Sequence, residues 1–132
     1  MLTNMGSGFA LRRNRVLVVD DQRDVADSHA TLLETLGQQV WRAYDGVEAL
    51  RMAQSVQPDL VLLDLQMSVL TGVDVVRRLR ELPCMSGARI IAHTGSSAFG
   101  DDMAIRQAGF DAVLRKPARV EDLVSVLRAQ SR

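Results

Sequence analysis

Two rhythms of apolar residues alternate along this chain. Short runs rich in β-branched residues, RVLVVD (15–20), QVWRAY (39–44), LVLLD (60–64), ARIIAHT (88–94) and DAVLR (111–115), read as strands. Between them the apolar positions recur at helical spacing. Val25, His29, Leu32, Leu33 and Leu36 share one side of a helix over 22–36. Val47, Leu50 and Ala53, flanked by Ala49 and Val56, mark a second helix, and Val73, Val76, Leu79 and Arg80 a third. Residues 101–108 form a shorter, weaker helix, and Val120, Leu123, Val124 and Leu127 give the i, i+3, i+4, i+7 stripe of a last one. Gly37 and Gly109 close the helices before them, and Pro58 and Pro83 forbid continuation of theirs.

Five strand–helix units in series predict a doubly wound α/β domain. Its sheet has five parallel strands, right-handed crossovers and helices on both faces. The uninterrupted apolar stretches VLVV, LVLL and RIIA fit strands covered on both sides. Residues 1–13 lack periodicity and read as a loose tail or linker, which leaves 14–132 as the folded domain.

Composition narrows the field of functions. The 132 residues suit a single core. Lys plus Arg (16) balance Asp plus Glu (16), which argues against the basic face that nucleic-acid binding needs. No apolar run approaches the ~20 residues of a spanning helix, and the start MLTNMGSGFALRRNR lacks the sustained apolar core of a signal peptide. Cys84 is the only cysteine, so neither an intrachain disulfide nor a cysteine-cluster metal site can form. A cytoplasmic, reducing location is expected.

The chemistry gathers where the strands end. Asp64 closes the apolar strand LVLL, and burying an unpaired charge there is costly. Strand one ends in Asp20 and Asp21, strand four in Thr94, and strand five in Lys116 followed by Pro117. In a parallel sheet all these ends lie on one edge, the usual place for a site. Taken singly, each aspartate is more often a helix cap or turn former, and Lys116 a solvated charge. Taken together, three clustered carboxylates repel unless something positive sits among them. Mg²⁺ is a hard cation that takes oxygen ligands, and beside it Asp64 can act as an ionised oxygen nucleophile. Phosphoryl transfer asks mainly for positioning and charge neutralisation. Lys116 and the cation would neutralise the phosphoryl oxygens, and Thr94 would donate a hydrogen bond to one of them.

VLVVDDQ, LVLLDLQM, IIAHTG and VLRKP together make the chain resemble the receiver domains of two-component response regulators, over roughly residues 14 to 130. The resemblance implies a flavodoxin-like sheet of strand order 2-1-3-4-5 with five helices. It implies that Asp64 accepts a phosphoryl group from a phosphohistidine on a histidine kinase or histidine phosphotransfer protein. Asp21 and Asp64 would bind Mg²⁺ directly, with the backbone carbonyl of Gln66 as a third ligand and Asp20 holding a metal-bound water. Thr94 and Lys116 would contact the phosphoryl group, and the Lys116–Pro117 bond would be cis. The segment from Thr94 to Pro117 also resembles receivers attached to hybrid histidine kinases.

The chain departs from the family pattern at three places. Ser68 replaces the usual proline after the acceptor. Val113 stands where a switch aromatic is usual, so coupling to an aromatic rotamer cannot operate in its ordinary form. The sequence ends soon after the last helix, with no effector following.

Other readings fare less well. A haloacid dehalogenase-type hydrolase looks for a second aspartate where Gln66 stands. A flavodoxin-like cofactor binder needs a phosphate-cradling loop after strand one, and DDQRDV has the wrong charge. The main alternative is a phosphate-independent receiver-like interaction module. Strand alternation turns His93 away from Thr94, toward a satisfied core or helix contact. His29, Cys84, Trp41, Tyr44 and Met67 read as packing or loop residues. Gln66 and Ser96 lie near the path of an attacking water and are candidates for tuning acyl-phosphate lifetime.

Overall fold

The computed structural model describes residues 11–95 and 102–130. Strands β1 (Arg15–Val19), β2 (Gln39–Ala43), β3 (Leu60–Asp64), β4 (Arg89–Thr94) and β5 (Ala112–Arg115) form one sheet in the order β2-β1-β3-β4-β5. Every pairing is parallel. Helices α1 (Arg23–Thr35), α2 (Gly46–Val56), α3 (Gly72–Glu81), α4 (Asp102–Ala108) and α5 (Val120–Gln130) connect and follow the strands. The architecture and strand order match those expected from the sequence, with element ends shifted by a residue or so. Asp20 accordingly lies one position past β1.

Alternation along the strands feeds two cores. Val16, Val18, Leu60, Leu62 and Ile91 face Ala26, Ala30 and Leu33 of α1 and Leu123 and Leu127 of α5. Leu17, Val19, Val61, Leu63, Ile90 and Ala92 face α2, α3 and α4. Each fully buried leucine or isoleucine contributes roughly 1.5–3 kcal/mol, so the sheet is held from both sides and its carboxyl edge is a rigid platform.

The helix termini follow local chemistry. Gly37 (φ +88°) and Gly109 (φ +124°) take left-handed conformations beyond α1 and α4. Thr71 and Asp74 form a reciprocal capping box at the start of α3, and the Thr71 hydrogen bonds hold the Asp74 carboxyl below the usual range. Two residues of the expected inward stripes face solvent instead: Val47 is 58% exposed and Val120 44%. In α2 the inward positions are Gly46, Ala49 and Ala53, whose small side chains let the helix approach the sheet closely and rotate Val47 outward. Among the described residues, no helix is long and apolar enough to cross a membrane.

One clamp on the far side of the fold ties α3 to β4 and β5. The Arg80 guanidinium donates to the Gly109 carbonyl (2.9 Å), the Ala88 carbonyl (3.0 Å) and Asp111 Oδ2 (2.7 Å). Asp111 Oδ2 also accepts the Ile90 N–H at 2.8 Å. Arg80→Met keeps the aliphatic stem but loses all three bonds. It is expected to lower the free energy of unfolding by about 1.5–3 kcal/mol, read as a lower urea midpoint at unchanged slope. An unchanged midpoint would show that the clamp is not stabilising.

Candidate functional site

The ends of β1, β3 and β5 bring a small ionic cluster together. One carboxylate oxygen from each of Asp20, Asp21 and Asp64 lies within 4.8 Å of the others. Asp20 and Asp64 are buried and Asp21 is the more exposed member. Lys116 Nζ lies 3.2 Å from Asp20 Oδ2 and 3.4 Å from Asp64 Oδ1, so one ammonium is shared by two carboxylates. Asp20 and Lys116 are 96 positions apart in the chain.

Each carboxylate is also fixed by the turn that follows it. The Gln22 N–H donates to Asp20 Oδ1 and the Gln66 N–H to Asp64 Oδ1, both at 3.0 Å. The backbone turns at Gln22 and Gln66 thus hold one oxygen of each group. Burial raises the Asp64 carboxyl to about 6, with the neighbouring Asp20 charge adding to the effect. The Gln66 N–H and the Lys116 ammonium oppose that rise and only partly offset it.

Thr94 is fully buried at the end of β4, and its carbonyl accepts the Lys116 N–H at 2.8 Å. The threonine and the base of the lysine are therefore held side by side. The Lys116–Pro117 peptide bond is cis. Gln66 has an exposed side chain. The six residues singled out in the sequence thus converge on one sheet edge. Oxygen donors dominate the cluster, two of its carboxylates are buried, and the geometry fits a hard divalent cation. Ser96 lies outside the described residues.

Beneath the cluster, in the layer shared with α1, lies a pair the sequence did not reveal. The rings of His29 (α1) and His93 (β4) meet edge to face, with centroids 4.7 Å and planes 88° apart. His93 does contact a helix, but it is not satisfied: among the described residues its buried Nε2 has no hydrogen-bond partner. Such a group costs roughly 1–3 kcal/mol. Burial lowers the His29 imidazole below its ordinary range and takes His93 down to about 3, so both rings are neutral near pH 7.

The remaining residues fall into packing roles. Val113 is half-buried against the α2–α4 core, Trp41 lies under the Arg15 guanidinium, and the Tyr44 hydroxyl donates to Asp27 at 2.7 Å. Cys84 is exposed in a 3-10 turn spanning Pro83–Met85, and Met67 is buried.

Comparison with known proteins agrees with this geometry. The family model of the response regulator receiver domain matches residues 16–128. The chain is 40% identical over 119 residues to the response regulator MprA of Mycobacterium tuberculosis, covering 87% of this chain and 49% of that protein. The same protein of Mycobacterium avium gives 40% identity, with 87% and 50% covered. The chain therefore spans about half the length of these curated relatives.

Among solved structures, the chemotaxis response regulator CheY4 of Vibrio cholerae superposes with a TM-score of 0.83 at 28% identity, covering 89% of this chain and 98% of that one. The receiver domain of the sensor histidine kinase PA1611 of Pseudomonas aeruginosa gives 0.81 at 28% identity, covering 90% and 98%. That structure has a magnesium ion coordinated in its active-site cleft.

Proposed function

This chain belongs to the response regulator receiver domain family, and from that premise we propose that it accepts a phosphoryl group on Asp64 from a phosphohistidine and changes state as a result. The observation that carries this reading is the Lys116 ammonium shared between the buried carboxylates of Asp20 and Asp64. In the transfer, an Asp64 carboxylate oxygen attacks phosphorus, the P–N bond to the donor imidazole breaks, and the imidazole leaves with the electron pair. The product is an acyl phosphate on Asp64. Lys116 moves from the two carboxylates toward the developing phosphoryl charge, and the Thr94 hydroxyl donates to a phosphoryl oxygen.

Asp21, Asp64 and the Gln66 carbonyl would hold Mg²⁺, with Asp20 ordering a water on it. Bound there, the ion neutralises charge that the three carboxylates and the phosphoryl group cannot share unaided. The partner is a histidine kinase or a histidine phosphotransfer protein. Gln66 remains a candidate for setting the lifetime of the acyl phosphate, because its side chain is exposed two positions past the acceptor.

Intact-mass measurement after incubation with Mg²⁺ and a small acyl-phosphate donor, quenched in mild acid, tests this directly. A single phosphoryl adduct is expected in wild type, dependent on Mg²⁺ and missing in Asp64→Asn. Wild type that takes up nothing, from the small donor or from a phosphohistidine protein, would leave the phosphate-independent interaction module as the better reading. An adduct that survives in Asp64→Asn would mean a different acceptor.

A further inference from the structure

Phosphoryl transfer at Asp64 makes no direct use of the two histidines beneath it. His93 stands immediately before Thr94 on β4 and is in register with Asp64 on β3. Its side chain turns into the α1 layer and meets His29 edge to face at 4.7 Å. His29 is tied to its own helix by the hydrogen bond between its Nδ1 and the Val25 carbonyl, 2.9 Å. His93 is 2% exposed, yet its Nε2 has no partner among the described residues. An aliphatic side chain, such as Ile91 two positions earlier, would fill the same face without burying an unpaired nitrogen.

We infer that the His93–His29 contact carries the state of the acidic cluster to α1, so that phosphorylation alters the first turn of that helix. The Lys116 ammonium disfavours protonation of both rings and the Asp20 carboxylate favours that of His29, so these charges reach the pair, and the neutral rings feel them through their dipoles. A phosphoryl group on Asp64 draws Lys116 off the two carboxylates and adds negative charge directly above the pair. His93 can turn in response without breaking a hydrogen bond. The edge-to-face contact then passes that turn to His29 and, through the Val25 carbonyl, to the first turn of α1.

The other layer offers a poorer responder. Val113 packs into the α2–α4 core with an apolar β-branched side chain, which has few rotamers and no atom that senses charge.

This inference rests on the phospho-acceptor reading, and its test separates the two. Hydrogen exchange of the full chain with Mg²⁺ is followed by mass spectrometry, with and without fluoroberyllate as a phosphoryl analogue, for wild type, His93→Leu and His29→Leu. In wild type, loading is expected to change exchange across Arg23–Thr35 by about threefold or more. In either variant that change is expected to vanish, while native mass still shows one adduct and the segment after β3 still responds. Persistence of the α1 response in a folded variant would overturn the inference, as would a loaded wild type whose α1 does not respond. Should His93→Leu fail to fold, His29→Leu and the wild-type response decide. Failure of wild type to take up the analogue would overturn both this inference and the phospho-acceptor reading.

Discussion

Asp64→Asn is expected to unfold at a higher temperature than wild type at neutral pH, even though it accepts no phosphoryl group. Asp64 is 2% exposed, and its carboxyl is raised from 3.8 to about 6, chiefly by burial. A carboxyl raised in the folded state favours folding while protonated. Without divalent cations, the contribution of Asp64 to stability is therefore greatest below about pH 4 and is lost as pH rises through about 6. The interval from 3.8 to about 6 corresponds to about 3 kcal/mol at most. Asparagine keeps the shape and cannot ionise, and Lys116 can then pair with Asp20 alone.

Thermal unfolding in a chelator from pH 4 to 7.5 should give curves that nearly meet at pH 4 and separate by several degrees at pH 7. Mg²⁺ should stabilise wild type by mass action and the variant much less. Parallel curves, or a variant less stable at pH 7, would mean that Asp64 is not a buried charge held against its own preference.

That cost is why the acceptor was legible in the sequence. A carboxylate ending a strand as apolar as LVLL could by itself be only a turn former, but four other strand-end residues of matching chemistry made it part of a pattern. Parallel topology did the rest, because it sends the carboxyl ends of all five strands to one edge whatever their separation in sequence.

What escaped the sequence depends on rotation and reach. Helical spacing locates an inward stripe only to about a third of the circumference. It placed Val47 inside, whereas Gly46, Ala49 and Ala53 set the closer approach. Alternation gave the direction of His93, but its meeting with His29 depends on how α1 sits over β4. The Arg80 clamp was hidden for another reason: two of its three acceptors are main-chain carbonyls, which no side-chain pattern records.

A residue that carries no chemistry is expected to give the second large effect. An ideal Cβ on Gly72 would lie 2.5 Å from the Asp64 carbonyl oxygen, 2.7 Å from Leu65 Cα and 3.1 Å from the Asp64 carbonyl carbon. These are main-chain atoms at the end of a central strand and just past it, so no flexible side chain can yield. The Gly72 N–H also donates to the Leu65 carbonyl at 3.0 Å, closing the loop that carries Gln66 back onto the acceptor. Gly72→Ala must therefore push α3 away from β3 or displace the acceptor peptide itself.

Overpacking of this kind costs about 1–3 kcal/mol, and backbone contacts on both sides favour the upper end. In a domain of this size that corresponds to a melting temperature lower by roughly 10 °C. Because the displaced peptide belongs to the nucleophile, formation of the Mg²⁺-dependent adduct should also slow by about a hundredfold, measured at a temperature where the variant is still folded. Gly87→Ala serves as the control, since a Cβ there meets nothing within 4 Å. A Gly72→Ala variant with wild-type melting and adduct formation would show that the helix and strand have room between them. Slow adduct formation in a folded Gly72→Ala, with Gly87→Ala unaffected, would identify the start of α3 as the support that aims Asp64.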